Sequence, residues 1–223
     1  MDALHALVQQ GKVMYLGISN APAWVVSAAN TYARDRGRTP FAVYQGPWNP
    51  LQRDVEREVL PMARRFGLAF MAYTPLAAGK LRAAGEVQAA KTRGEGHHVF
   101  RLGQTEQTED EARASAALEE VGRELGGRSV AAVALAYLLA KAPYVFPVVG
   151  GRKTEQLADN ITALDVRLSA EQVARIEAAK PFDEGFPASA AGVDPAVSGV
   201  LSIGLVASGK VDVVRAQKPI GYD

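Results

Sequence analysis

Four short apolar runs, residues 13–18, 41–45, 68–73 and 144–149, alternate along this chain with longer stretches of helical periodicity. Strands that are apolar throughout, separated by amphipathic helices, indicate a parallel sheet covered by helices. The helical stretches lie near residues 3–10, 24–36, 54–66, 109–125, 130–141 and 155–164, and the segment from 74 to about 108 reads as a long loop. Gly11 stands where a helix C-cap belongs, and Pro22 precedes the second helix near its first turn. An open doubly wound sheet would carry a Gly-rich dinucleotide turn after its first strand, whereas Gly17 is the one glycine between residues 15 and 22. A (β/α)8 barrel fits better. A complete barrel takes eight strands and roughly 250 residues, so four strands in 223 residues predict an α/β fold built as a partial barrel. That half-barrel is expected over residues 1–180. An irregular tail rich in Gly, Ala, Ser and Pro, residues 181–223, is expected to cover the barrel or its substrate side, with residues 200–206 as its most regular part.

Composition excludes several classes of partner. The 25 Lys and Arg against 24 Asp and Glu leave a formal charge of +1, too small a field to gather nucleic acid or an anionic membrane. No cysteine is present, which removes disulfides, thiolate nucleophiles and Cys-based zinc sites. The apolar run at residues 130–140 is far shorter than a membrane span. The opening Met1-Asp2-Ala3-Leu4-His5 lacks the basic character of a leader, and the cytoplasm is the expected compartment. Neighbouring histidines can hold a metal, but no carboxylate or third His lies at ligand spacing from His97 and His98, so they read as a solvated loop pair.

Barrel enzymes keep their chemistry at the strand ends, and the residues there are informative. Gly17-Ile18-Ser19-Asn20, Val43-Tyr44-Gln45, Ala72-Tyr73-Thr74-Pro75-Leu76 and the run from Val148 through Gly150, Arg152 and Gln156 to Asn160 resemble, in order and spacing, the second half of aldo-keto reductases. The branch most resembled is that of fungal aryl-alcohol dehydrogenases and norsolorinic acid reductase, through Tyr44-Gln45-Gly46-Pro47-Trp48-Asn49, Lys141-Ala142-Pro143-Tyr144-Val145-Phe146-Pro147 and the closing Lys218-Pro219-Ile220-Gly221.

The resemblance implies an NADP(H) cradle. Ser19, Asn20 and Gln45 match the side chains that hold the nicotinamide carboxamide, whose one acceptor and two donors such groups satisfy. Tyr73 matches the aromatic that stacks on the nicotinamide and fixes the face offered for hydride transfer. Thr74, Pro75, Leu76, Ala78 and Gly79 match the pyrophosphate loop, where small side chains let backbone N–H groups approach an anion, and Lys80 would add charge. Gly150, Arg152 and Lys153 match the turn into a helix N-terminus that holds the adenosine 2′-phosphate. Gln156, Asp159 and Asn160 share a helix face by their spacing and match contacts to adenine and its ribose phosphate. The pair Arg152 and Lys153 favours NADP over NAD, because a phosphate needs cationic partners. Read alone, Ser19-Asn20 would be an N-cap pair before a helix and Tyr73 a strand-end core residue.

The family's proton-donating Tyr, the Lys and Asp that tune it, and the His that orients the carbonyl lie in the first half of its barrel, and none is matched by a residue here. Two functional classes therefore stay open: a partial reductase of aromatic carbonyls or aryl alcohols, and a non-catalytic NADP-binding or scaffolding protein that assembles through an open barrel seam. An open half-barrel exposes two strand edges and its inner face. A homodimer, or a complementary barrel half, is favoured over an internal plug formed by the tail.

Overall fold

The computed structural model describes residues 1–92, 107–151, 153–192, 195–198 and 215–222. Strands β1 Leu16–Ser19, β2 Phe41–Pro47, β3 Ala69–Tyr73 and β4 Val145–Pro147 form one parallel sheet in the order β1-β2-β3-β4. Around them run α1 Asp2–Gln9, α2 Ala23–Asp35, α3 Val59–Phe66, α4 Ala84–Thr92, α5 Glu109–Glu124, α6 Val130–Lys141, α7 Thr154–Ile161 and α8 Ala170–Ala178. Spatial order equals sequence order, which is the repeat of a barrel and not the shuffled order of a doubly wound sheet. The chain is an α/β protein with the strands and helices of a partial (β/α)8 barrel.

Strand geometry sends alternate side chains to opposite faces, and the two faces differ sharply. On the helix-covered face Tyr44, Phe70 and Val145 are in register and buried. Phe70 stacks on Tyr44 at 5.8 Å between ring centroids and meets Trp48 edge-on at 5.6 Å. On the other face the in-register row Ser19, Gln45, Met71 and Phe146 faces outward, with Met71 36% and Phe146 53% exposed. The open inner face expected of a half-barrel is therefore present among the described residues. Helix α6 is buried around nearly its whole circumference, Val130 and residues 132–138 included, so it is the spine of the helical layer. Asn30, fully buried, fastens α2 to β2 by donating to the Phe41 carbonyl at 3.1 Å and accepting from the Phe41 N–H at 2.9 Å.

The structure corrects several boundaries. The first strand starts at Leu16, not Val13, and Met14 and Tyr15 are 80% and 72% exposed. Its partner β2 begins at Phe41, opposite Leu16, so residues 13–15 have no neighbour to pair with. The last strand, Val145–Pro147, begins after Tyr144, whose φ of 58° lies in the left-handed region and not in that of a strand, although its carbonyl still accepts from the Phe70 N–H at 2.9 Å. The expected helix over 54–66 is a 3-10 turn, Asp54–Glu56, followed by α3. Pro61 then falls in the first turn of α3, where its missing N–H costs nothing, and Gly67 ends that helix at φ 69°. The expected loop contains α4; residues 93–106, with His97 and His98, lie outside the described residues. Helix α8 was not expected, although its capping box of Ser169 and Gln172 is a readable start signal.

A half-buried ionic cluster braces the strand ends. Arg53 holds Glu56 through two hydrogen bonds of 2.9 Å, and the Trp48 indole donates to the same carboxylate at 2.9 Å. Lys141 lies 3.2 Å from Glu56 and 2.6 Å from Glu177, and Glu177 also meets Arg53 at 3.0 Å and accepts from the Tyr137 hydroxyl at 2.9 Å. The cluster ties the turn after β2 to α6 and α8. It also reaches the tail, where the Phe182 ring lies under Arg53 at 4.9 Å and Arg57 at 4.6 Å, and Arg57 donates to the Asp183 carbonyl at 3.0 and 2.6 Å. At the chain's far end Tyr222 accepts from the Leu168 N–H at 3.0 Å, and Tyr144 donates to Gln217 at 3.3 Å. Residues 200–206 lie outside the described residues.

Candidate cofactor-binding site

The expected site residues leave the sheet at the carboxyl ends of its strands, where a parallel α/β sheet presents turns to a ligand. Ser19 ends β1 and pairs with Gln45 in β2. Asn20 follows at φ 54°, its N–H donating to the Gln45 carbonyl at 3.2 Å. Tyr73 ends β3 and sends its hydroxyl across β2 to donate to Asn20 Oδ1 at 3.0 Å. The four residues expected to face a nicotinamide therefore come together as one polar group. Neither Ser19 nor Asn20 caps α2, whose N-cap is Pro22, so the N-cap reading of that pair fails.

The next turn is conformationally strained. Thr74, Ala77 and Ala78 have φ of 49°, 50° and 54°, and Gly79 continues at 79°. Left-handed backbone costs a non-glycine residue roughly 1–2 kcal/mol, and such residues gather where surrounding structure imposes a geometry for function. Of the five non-glycine positive-φ residues among those described, Asn20, Thr74 and Ala78 belong to the expected site and Ala77 falls within the same turn. Pro75 is buried and Leu76 half-buried beneath this turn.

A cleft of about 820 Å³ opens beside the turn, lined by Tyr73, Thr74, Ala78 and Lys80 from the expected set. Its volume falls in the range of small-molecule sites. Seven further lining residues carry polar or charged groups that sequence reasoning did not single out: Asn49, Gln52, Asp54, Thr108, Asp110, Glu111 and Lys180. Asn49 was legible only as part of the Trp48-Asn49 motif, and Lys180 follows the helix that was not expected. Lys80 is not a spare charge. Its ammonium pairs at 3.0 Å with Glu111, which is 5% exposed and completes the capping box of α5 with Thr108. Lys180 donates to the Leu51 carbonyl at 2.8 Å and lies 3.9 Å from Asp110.

The third group follows β4, which stays beside β3 through a Val148 N–H to Ala72 carbonyl bond of 2.7 Å. Gly150 and Gly151 are exposed and lead into α7, where the Gln156 side chain reaches back to accept from the Lys153 N–H at 3.2 Å. Arg152 lies outside the described residues. Along the shared face of α7 burial rises from Gln156, exposed, through Asp159 to Asn160, which is 8% exposed. Asp159 accepts from the Ser129 hydroxyl at 2.7 Å, the same hydroxyl that caps α6. Asp159 thus fixes α7 against α6.

A family model described as the aldo/keto reductase family matches residues 1–181. The chain belongs to that family. This aldo/keto reductase chain is 52% identical over 222 residues to the aldo-keto reductase ausK of Emericella nidulans, covering all of this chain and 55% of that protein. It is 48% identical over 188 residues to the aryl-alcohol dehydrogenase [NADP(+)] of Phanerodontia chrysosporium, covering 84% of this chain and 49% of that one. Against norsolorinic acid reductase stcV of Emericella nidulans it is 50% identical over 187 residues, 84% of this chain and 46% of that protein. The aldo/keto reductase chain described here thus spans about half the length of the curated relatives it matches. Among its described residues no helix is long and apolar enough to cross a membrane.

Proposed function

We propose that this chain forms the NADP(H)-binding half of an oxidoreductase acting on aromatic carbonyls or aryl alcohols. The observation that carries the reading is the convergence of Ser19, Asn20, Gln45 and Tyr73 at one end of the sheet, closed by the Tyr73–Asn20 hydrogen bond. The name of the Phanerodontia relative supports the choice of cofactor. When bound, the reduced nicotinamide supplies a hydride. Ser19, Asn20 and Gln45 would hold the carboxamide, Tyr73 would offer its ring as a flat stacking surface, and the turn at 74–80 would face the pyrophosphate. Gly150, Arg152 and Gln156 would meet the adenosine end, with Asp159 and Asn160 setting the pitch of α7. Phe186 of the tail, which is exposed, would offer aromatic surface to an aromatic substrate, whereas Phe182 is held against Arg53 and Arg57.

NADPH is expected to quench or shift the chain's fluorescence on titration, with weak affinity. Arg152→Ala is expected to weaken NADPH relative to NADH by about 1–3 kcal/mol, the scale of a charge-assisted hydrogen bond. Equal losses for the two cofactors would remove Arg152 from the 2′-phosphate.

A second reading, a non-catalytic protein that assembles through its open face, is favoured by one observation: Met71 of β3 and Phe146 of the outer strand β4 lie exposed side by side on the inner face. A two-fold axis along the barrel would set β4 of one copy beside β1 of the other, all strands parallel, and four plus four strands complete an eight-stranded barrel. Sedimentation of the 223-residue chain over a concentration series is expected to show a homodimer. A compact monomer at every concentration would show instead that the chain covers its own inner face.

A further inference from the structure

Asn49 sits in the turn after β2, is 2% exposed, and uses both ends of its amide. Its Oδ1 accepts from the Leu51 N–H at 2.9 Å and the Gln52 N–H at 3.0 Å, which closes its own turn. Its Nδ2 leaves that turn and donates to the Thr74 carbonyl at 3.0 Å. The preceding residue repeats the link, since the Trp48 N–H donates to the Tyr73 carbonyl at 3.3 Å. Thr74 is the first of the left-handed residues beside the cleft, followed by Ala77, Ala78 and Gly79.

We infer that Asn49 is a positioning residue that holds the strained 74–79 turn in its ligand-facing shape. The inference rests on reading that turn as phosphate-facing. A strained backbone persists only where its surroundings over-determine it. The Thr74 carbonyl accepts from the Ala77 N–H of its own turn at 2.9 Å and, from outside the turn, from this buried amide, itself fixed by two backbone donors and, through Trp48 and Glu56, by the ionic cluster. The chemistry demanded of the residue is narrow: an acceptor for its own turn and a donor for the next one, on a side chain short enough to stay in the turn. Asn provides both. Aspartate keeps the acceptor and loses the donor, and serine has both on one hydroxyl, too short to donate to the Thr74 carbonyl. The two functions of Asn49 are therefore separable by substitution.

The test compares the wild-type chain with Asn49→Asp and Asn49→Ser, the serine variant serving if the aspartate variant fails to fold. In the absence of ligand, amide exchange of peptides covering 74–80 is expected to accelerate in both variants. With Asn49→Asp, peptides covering 50–56 keep their protection. NADPH affinity by fluorescence titration is expected to fall about tenfold, the factor that a lost buried hydrogen bond carries. Unchanged exchange across 74–80, or faster exchange with unchanged NADPH affinity, overturns the inference. A wild-type chain that binds no NADPH sinks the cofactor reading instead, and the exchange measurement then decides for Asn49 alone.

Discussion

The 223-residue chain, purified free of other reductases, is expected to bind NADPH and to reduce benzaldehyde slower than a complete reductase by a factor of at least about 10² to 10⁴, the contribution of one positioned proton donor. All seven tyrosines lie among the described residues, and six of them hold a side-chain hydrogen bond that assigns them other work. Tyr44 donates to the Ala21 carbonyl, Tyr32 to Asp2, Tyr144 to Gln217 and Tyr137 to Glu177, and Tyr222 accepts from Leu168. Tyr73 faces the cleft but is spent on Asn20 at 3.0 Å. The nearest approach to a tuned donor is Tyr137, which shares Glu177 with Lys141. Its environment works the wrong way. Tyr137 is fully buried, and burial followed by the charges of Glu56 and Glu177 pushes its hydroxyl far above the ordinary tyrosine value. An acid that must give up a proton near neutrality needs the opposite shift and an open path to substrate. Turnover at ordinary enzyme rates that disappears in Tyr73→Phe would show that Tyr73 is the donor and that the chain is a reductase by itself.

The barrel repeat was legible because it is written in apolar strands and in helices long enough to show their period. The residues at the strand ends were legible only as an ensemble, since Ser19, Gln45 and Tyr73 lie in separate units and meet through parallel pairing that no local pattern announces. What escaped the sequence were features set by non-local geometry. Residues 13–15 look like strand, yet β2 does not reach back to pair with them. Lys80 looks like a free cation for phosphate, yet the buried Glu111 of α5 stands 3.0 Å away. Asn49 looks like an ordinary turn residue, because its Oδ1 bonds are local while the bond that matters to the cleft crosses to β3. The cluster around Glu56 draws on residues 48, 53, 141 and 177, a span over which charge pairing leaves no periodic trace.

That cluster sets the second large expectation: Glu56→Gln should destabilise the chain at neutral pH by at most about 3–5 kcal/mol, the cost of removing one partner from a fully buried ion pair. Glu56 and Glu177 balance Arg53 and Lys141. Glutamine keeps the shape and one acceptor but leaves the two cations facing a single carboxylate. The pH dependence follows from the same contacts. Burial alone would raise the Glu56 carboxyl, but the hydrogen bonds from Arg53, the charge of Lys141 and the Trp48 indole outweigh it and hold the group below the ordinary glutamate value of 4.5. A carboxylate with a depressed folded value contributes stability that is fully present above 4.5 and lost as pH falls through the lowered value. Thermal melts from pH 7 to pH 3 should therefore show a wide gap between wild type and Glu56→Gln down to about pH 5, narrowing as the wild-type carboxyl takes up its proton. Because the cluster anchors the turn that carries Asn49 and, through Arg53 and Phe182, the start of the tail, the same substitution should loosen residues 48–57 and 180–185 together. Equal melting temperatures at pH 7 would mean that the ionic cluster is a passive consequence of packing, and that α6 alone holds the strand ends in place.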